Sequence, residues 1–235
     1  MPNPYFTFKQ FSIRHDRCAM KVGTDGVLLG AWTDLHHSRH ILDIGTGTGL
    51  IALMLAQRNN ECQITAIDID TEAVGQATDN IQNSPWKDRV VAICQDICTY
   101  QANGMFDTIV SNPPYFIDSM KSPDNQRTTA RHTDSLDANR LLEKVSELLT
   151  PEGQFSIILP ADQTKNLILI ANQNGLYPSR CTQVITRPGL SPKRVLMEFR
   201  KTHQEYLQDE LIIELDRHVY SQEYIALTKE FYLKL

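Results

Sequence analysis

The stretch SNPPYF, residues 111–116, brings an asparagine, two prolines and two aromatic rings to one point of the chain. It follows an apolar run, Phe106 to Val110, that predicts a buried strand. Two adjacent prolines fix two φ angles and remove two N–H donors, so the chain must leave the sheet at Asn112. The Asn112 side-chain oxygen and the Pro113 carbonyl would then be two acceptors held at a strand end. A turn requires far less than that, so this strand end is a candidate site.

The loop DIGTGTG, from Asp43 to Gly49, is a second candidate site. It lies between a predicted strand, residues 39–44, and a predicted helix, residues 50–58. Glycines allow positive φ and let a ligand approach the backbone closely. The loop lacks the GxGxxG spacing of a dinucleotide site, and an acidic residue before the glycines would repel a diphosphate but suit an ammonium or sulfonium ligand. The candidate ligand-binding residues are Asp43, Gly45, Thr46, Gly47 and Gly49.

Two more acidic residues follow the next predicted strands. Asp68 ends the strand 63–68, about twenty residues after the glycines, where a carboxylate can accept hydrogen bonds from both ribose hydroxyls. Its alternative role is to cap the next helix, but Asp70 or Thr71 could fill that role. Asp96 lies just past the strand 89–94 and could bond an adenine amine.

Strand-like and helix-like segments alternate along the rest of the chain. Helices are predicted at 71–83, 137–149 and 162–174, and a strand at 154–159. Residues 182–186 and 194–200 predict a hairpin around the turn PGLSPK. This order predicts an α/β, Rossmann-like fold with a mostly parallel sheet, helices on both faces and an antiparallel C-terminal hairpin. Ligands of such sheets bind beyond the carboxyl ends of the strands, where the residues above would meet.

Composition narrows the class of protein. A chain of 235 residues that is 41% hydrophobic predicts a single domain. We divide it into an N-terminal segment (1–38), a core (39–203) and a C-terminal extension (204–235). No apolar run approaches the roughly 18 residues of a membrane-spanning helix. The five cysteines include no CxxC pair, and HHSRH, residues 36–40, matches no metal-ligand spacing. We therefore predict no metal, no membrane and the reducing cytoplasm; the oligomeric state is left open, with a monomer favoured.

The three motifs DIGTGTG, AID and NPPY, in this order, resemble class I S-adenosylmethionine-dependent methyltransferases that act on planar nitrogen. With the opening FTFKQFSIRHDRCAMKVGTDGVLLGAW and the closing SQEYIALTKEFYLKL, the chain resembles the bacterial tRNA(Val) adenine N6-methyltransferase family nearly end to end. The resemblance implies a seven-stranded sheet, S-adenosylmethionine as cofactor and adenine 37 of valine tRNA as substrate. It also implies a catalytic role for Asn112, Pro113, Pro114 and Tyr115, with Asn112 also touching the cofactor, and it puts Thr24 and Asp25 near the cofactor's methionine end.

Basic residues that could contact RNA lie in two stretches. The formal net charge is −5, yet residues 180–203 carry six Lys or Arg against Glu198 alone. Such a stretch fits either a charged edge strand or a phosphate-contacting rim. The long segment 117–136 fits either a plain loop or an RNA-binding segment. The candidate substrate-binding residues are Phe116, Arg127, Arg131, His132, Lys193 and Arg194.

Two alternatives remain open from the sequence. NPPY also resembles the glutamine methyltransferases that act on release factors, because the same acceptors would suit a carboxamide. Those enzymes typically carry an N-terminal helical domain, whereas only 38 residues precede the first predicted core strand here. The second alternative is an RNA-binding module with a vestigial cofactor fold, against which the intact Asp43, Gly45, Gly47, Asp68 and Asn112 argue.

Overall fold

The computed structural model describes residues 3–18, 21–113 and 137–234. Six helices and twelve strands occur in this part of the chain, and their bounds are as follows. They are β1 (Tyr5–Thr7), β2 (Ser12–Arg14), α1 (Thr24–Trp32), β3 (His40–Ile44), α2 (Leu50–Arg58), β4 (Gln63–Asp68), α3 (Thr71–Gln82), β5 (Val90–Cys94), β6 (Phe106–Ser111), α4 (Ala138–Leu148), β7 (Leu149–Pro160), α5 (Thr164–Gln173), β8 (Tyr177–Ile185), β9 (Arg194–Arg200), β10 (Leu207–Ile212), β11 (Glu214–Asp216), β12 (Val219–Tyr220) and α6 (Gln222–Thr228).

Eight strands form the central sheet, in the spatial order β10-β8-β9-β7-β6-β3-β4-β5. All neighbouring pairs are parallel except those of β9, which runs antiparallel to both β7 and β8. The strand order reverses between β3 and β6, which is where doubly wound sheets bind their ligands. The predicted Rossmann-like class, with its mostly parallel sheet and antiparallel hairpin, is confirmed.

The sheet has one strand more than the seven that the resemblance implied. Strand β10 pairs parallel with β8, with Leu207 opposite Arg180 and Ile212 opposite Ile185. Its sequence, LQDELI, is mostly polar, and four of its six residues are exposed. An edge strand needs little apolar content because one side and much of its surface face water. The segment predicted as a C-terminal extension therefore contributes a strand to the sheet.

Helices cover both faces of the sheet because strand side chains alternate between them. Ile41 and Leu42 are neighbours in β3, yet Ile41 packs in the core with α1, α2 and α3, and Leu42 packs in the core with α4 and α5. Helix α4 begins where Asp137 accepts a hydrogen bond from the Asn139 amide at 3.1 Å. Its buried Leu141, Leu142, Val145 and Leu148 recur at the spacing of one helix face.

Candidate functional site

Three neighbouring parallel strands end at one edge of the sheet. In the register of β3, Ile44 lies opposite Ile67 of β4 on one side and opposite Ser111 of β6 on the other. The next residues along the three strands are therefore Gly45, Asp68 and Asn112, which stand side by side at the carboxyl edge of the sheet. Parallel pairing thus brings together residues that are far apart in sequence, as the motif spacing predicted.

The glycine loop leaves β3 in a conformation that other residues rarely adopt. Gly45 has φ 71° and Gly47 has φ 55°, both in the left-handed region. The amides of Gly45 and Thr46 both donate to the Ile67 carbonyl, at 2.9 and 3.0 Å, which ties the loop to β4. A Cβ at Gly45 or Gly47 would meet no described heavy atom within 4 Å. The loop therefore presents bare backbone to open space, which is the surface a ligand needs for close approach.

Asp43 lies beneath this loop and is completely buried. Its Oδ2 accepts a 2.6 Å hydrogen bond from the Thr46 hydroxyl, whereas Oδ1 has no hydrogen-bond partner in the described part of the chain. Burial raises the pKa of Asp43 from 3.8 to about 7, and the Thr46 hydroxyl and the first-turn amide of Ala52 offset only part of that rise. The site therefore holds a carboxylate that a cationic ligand would stabilise.

Asp68 connects the glycine loop to the next turn of the chain. Its Oδ2 accepts from the Gly47 amide at 2.8 Å and its Oδ1 accepts from the Asp70 amide at 3.0 Å. Asp70, rather than Asp68, caps α3 by accepting from the Glu72 amide at 2.9 Å. Because each carboxylate oxygen has a second lone pair, Asp68 keeps capacity for ribose hydroxyls, and both backbone bonds fix its orientation.

Asp96 has a local structural role that the sequence reasoning had not assigned. It accepts from the Cys98 amide at 2.9 Å and so caps a single 3₁₀ turn, Ile97–Thr99, after β5. Asp96 lies just beyond the carboxyl end of β5, the neighbour of β4 in the sheet, and its bond to an adenine amine stays a prediction.

Asn112 is half-buried at the end of β6, and Pro113 is buried. The preceding Ser111 is buried too, and its hydroxyl donates to the Ile44 carbonyl at 2.9 Å, which fastens the end of β6 to the start of the glycine loop. Within residues 3–18, 21–113 and 137–234, the Asn112 side chain has no hydrogen-bond partner. Six residues with predicted roles lie outside the described ranges: Pro114, Tyr115, Phe116, Arg127, Arg131 and His132.

Thr24 and Asp25 open α1, and the resemblance places them near the cofactor, which stays a prediction. Asp25 Oδ2 accepts a 2.8 Å hydrogen bond from Arg194 Nε at the start of β9. Both side chains are about 30% exposed, so the pair lies at the surface of the sheet edge. Lys193 is exposed beside it. The structure therefore joins a predicted cofactor residue to a predicted RNA-binding residue.

Most basic residues of the stretch 180–203 bind other residues of the protein. The guanidinium of Arg180 lies 3.6 Å from the centre of the Trp32 ring and near Glu198, which is 6% exposed and also binds Arg200 at 3.0 Å. Lys201 donates to the Leu149 carbonyl. These three cations lie toward the amino-terminal edge of the sheet, away from Asn112. The phosphate-contacting interpretation is therefore retained only for Lys193 and Arg194, at the carboxyl edge.

Asn80 is a positioning residue that the sequence reasoning missed. It is 2% exposed on α3, and its amide nitrogen donates to the carbonyls of Arg14 and Thr48 while its oxygen accepts from the Arg14 amide, all at 2.8–2.9 Å. Gln76, one turn earlier, accepts from the Arg17 amide at 3.0 Å. These bonds hold the β1–β2 hairpin and the glycine loop against one helix. The signal was an asparagine within the apolar stripe of Ala73, Ala77 and Ile81.

The residues at this edge fit S-adenosylmethionine. The buried Asp43 with its unpartnered oxygen suits a cationic group, the glycines leave a backbone cradle, and Asp68 is held where ribose hydroxyls would lie. Fold and site together define a class I S-adenosylmethionine-dependent methyltransferase. In the described residues there is no helix long and apolar enough to cross a membrane, and no group of three or more potential metal ligands.

Comparison with known proteins agrees with this class. Residues 20–173 match the protein family described as "Methyltransferase small domain". Over the whole length of both chains, the protein is 58% identical to a tRNA1(Val) (adenine(37)-N6)-methyltransferase of Phocaeicola vulgatus and 52% identical to one of Bacteroides thetaiotaomicron. The chain belongs to this family of methyltransferases.

Solved structures show the same fold at lower sequence identity. A protein described as a predicted O-methyltransferase from Agrobacterium tumefaciens superposes with a TM-score of 0.69 at 20% identity, covering 88% of this chain and 96% of that one. A glycopeptide N-methyltransferase, solved as a complex with S-adenosylmethionine, superposes with a TM-score of 0.57 at 14% identity, covering 77% of this chain and all of that one.

Proposed function

We propose that the protein transfers a methyl group from S-adenosylmethionine to N6 of adenine 37 in the anticodon loop of valine tRNA. The observation that carries this proposal is the side-by-side arrangement of Gly45, Asp68 and Asn112 at the sheet edge, in a chain 58% identical end to end to a relative named for that activity. The cytoplasm is the compartment that goes with a tRNA substrate.

The cofactor, when bound, supplies an electrophilic methyl group on a cationic sulfur. The residues that would hold it are Asp43, the backbone of Gly45 to Gly49, Asp68 and Asp96, with Thr24 near its methionine end. The Asp43 carboxylate balances positive charge, and Asp68 fixes the ribose through oxygens already aligned by the Gly47 and Asp70 amides.

The acceptor end of the site is formed by Asn112 and Pro113. An exocyclic adenine amine is a poor nucleophile because its lone pair is delocalised into the ring. The Asn112 side-chain oxygen and the Pro113 carbonyl would accept from its two N–H bonds, hold the amine in place and favour its pyramidal form. Stiff backbone at the prolines means little reorganisation during the reaction, which is the origin of most electrostatic stabilisation in enzymes. We further propose that Tyr115 stacks on the base and that Pro114 rigidifies the turn.

The methylated amine becomes acidic and loses its proton to water, so the site requires no strong base. A target in a single-stranded loop also lowers the cost of extracting the base, because no duplex partner has to be broken. Lys193 and Arg194 would contact RNA phosphates beside the acceptor position, and the segment with Phe116, Arg127, Arg131 and His132 would add further contacts.

The test is transfer of labelled methyl from S-adenosylmethionine to bulk tRNA from cells that lack this gene, followed by nucleoside analysis. We expect the label in N6-methyladenosine, and no label with Asn112→Ala. Label in a different nucleoside, or transfer only to a protein glutamine, would refute the proposal.

A further inference from the structure

A cavity of about 520 Å³ opens at the same edge of the sheet as the acceptor site but farther along it. Its walls come from the ends of β8 and β10, from the β11–β12 hairpin, from α1 and from the two chain termini. Four aromatic rings line it, those of Phe6, Tyr220, Tyr224 and Tyr232. This volume lies within the range of small-molecule pockets and is large enough for a planar heterocycle.

The aromatic rings are held in fixed positions by one another and by the core. Tyr220 stacks on Tyr224 with centroids 5.2 Å apart and planes 28° from parallel, and Tyr224 is 4% exposed. Phe6 meets Tyr232 edge to face at 6.1 Å. Burial raises the pKa of both Tyr224 and Tyr232, so their hydroxyls stay neutral. A rigid, uncharged aromatic surface stacks on any base, because every base has a π-face.

Polar groups at the cavity supply edge recognition. Glu214 lines it and receives two hydrogen bonds from Arg187, at 3.0 and 3.2 Å, both on Oε2. A base amino or imino group would find its acceptor at Oε1. Lys234, which lines the cavity, and the exposed Lys193 add positive charge at the same edge, whereas the charge of Arg187 is balanced by Glu214. Aromatic faces, one carboxylate acceptor and flanking cations are the combination that binds unpaired nucleotides.

The distance to the acceptor site suits a nucleotide a few positions away along the RNA. Strand β8 lies three strands from β6, and β10 lies four strands away. At the usual spacing of adjacent strands this separation is roughly 14 to 19 Å. Thr24, which the resemblance places near the methionine end of the cofactor, also lines the cavity, and that assignment puts the cavity next to the cofactor site.

We propose that this cavity, the flanking-base pocket, binds an unpaired nucleobase of the substrate RNA a few nucleotides away from the adenine that is methylated. The inference rests on the function proposed above and adds a second point of attachment to it. The base stacks on Tyr220 and presents its N–H edge to Glu214. A short single-stranded loop is thereby gripped at two places, which sets the register of the target adenine.

The experiment uses anticodon-loop hairpins that carry 2-aminopurine at one loop position at a time, with native protein, Tyr220→Phe and Tyr220→Ala. We expect one position near adenine 37 to lose fluorescence on binding the native protein and Tyr220→Phe, but not Tyr220→Ala. In methyl transfer, Tyr220→Ala should raise KM for the hairpin about tenfold at unchanged kcat, as expected for one lost stacking contact. Tyr177→Ala is the matched control, because Tyr177 is also half-buried and stacked, on His203, but at the opposite edge.

Thr186→Leu is a second test that does not depend on the folding of Tyr220→Ala, because the larger side chain fills the cavity and no packed ring is removed. It should reproduce the loss of quenching and the higher KM. Unaltered quenching and KM in both variants of an active enzyme would overturn the flanking-base pocket alone. A native protein that transfers no methyl to the hairpin would instead overturn the proposed function, and the two failures are thus distinguished.

Discussion

Replacing Asp43 by asparagine removes the buried carboxylate beneath the glycine loop while keeping its shape. In the native protein the pKa of this group is raised from 3.8 to about 7, so the folded state binds more protons than the unfolded state between these two values. Stability conferred by the protonated group is fully present below about pH 4 and is lost as the pH rises toward 7. The asparagine side chain does not titrate and escapes that loss.

The magnitude follows from the two pKa values. Linkage with pKa values of 3.8 and about 7 gives a loss of roughly 2 to 3 kcal/mol in the free energy of unfolding between pH 5 and pH 8. Between pH 5 and pH 8, the free energy of unfolding of Asp43→Asn should therefore rise by about that much relative to the native protein. The assay is urea unfolding at several pH values without cofactor, because taking the difference between the two proteins cancels the other titrating groups.

Asp70→Asn is the matched control, since Asp70 is an exposed helix cap and asparagine caps a helix equally well. It should follow the native pH dependence.

The same reasoning predicts that S-adenosylmethionine binding at pH 6 releases about one proton per native protein and none from position 43 in Asp43→Asn, measured by calorimetry in buffers of different ionisation enthalpy. Equal pH dependence in the native and Asp43→Asn proteins would refute the raised pKa and its role in holding a cation.

Three further predictions address the acceptor site, the RNA surface and the scaffold. Asn112→Ala should lower methyl transfer at least about 100-fold with cofactor affinity nearly unchanged, measured by single-turnover kinetics and calorimetry; loss of cofactor binding with normal turnover would contradict its role. Lys193→Ala should lower the slope of log K against log salt for RNA by about 1, whereas Lys87→Ala, an exposed residue just before β5 at the opposite edge of the sheet, should not; an unchanged slope in Lys193→Ala would mean that Lys193 contacts no phosphate. Glu198→Gln should lower the free energy of unfolding by about 2–3 kcal/mol, because it leaves Arg180 and Arg200 without their shared carboxylate, whereas the exposed Glu205→Gln should be nearly neutral in urea unfolding.

The order of helices and strands could be predicted from the sequence because local periodicity and the glycine and proline positions determine it. Strand ends were predicted at Ile44, Asp68 and Val110 from apolar runs that stop at glycine or polar residues, and the strands end at Ile44, Asp68 and Ser111. Parallel strands then had to bring the motifs to one edge, and the register confirms that they meet there.

Contacts that depend on register or on docking could not be read from the sequence. The Arg180–Glu198–Arg200 cluster exists because β8 and β9 pair with Arg180 opposite Glu198. Asn80 joins residues 66 and 32 positions away in sequence, so only the packed structure reveals its role. Strand β10 is polar enough to read as a loop, and it becomes a strand because β8 offers it an unpaired edge.

The central claim is that this sheet edge methylates adenine 37 of valine tRNA, and a pair of transcripts tests it most directly. One is unmodified valine tRNA and the other is the same tRNA with adenine 37 replaced by guanosine. Incubated with the protein and labelled S-adenosylmethionine, the first should take up close to one methyl group per molecule and the second none. Equal uptake by both transcripts, or no uptake by either despite measurable cofactor binding, would contradict the account.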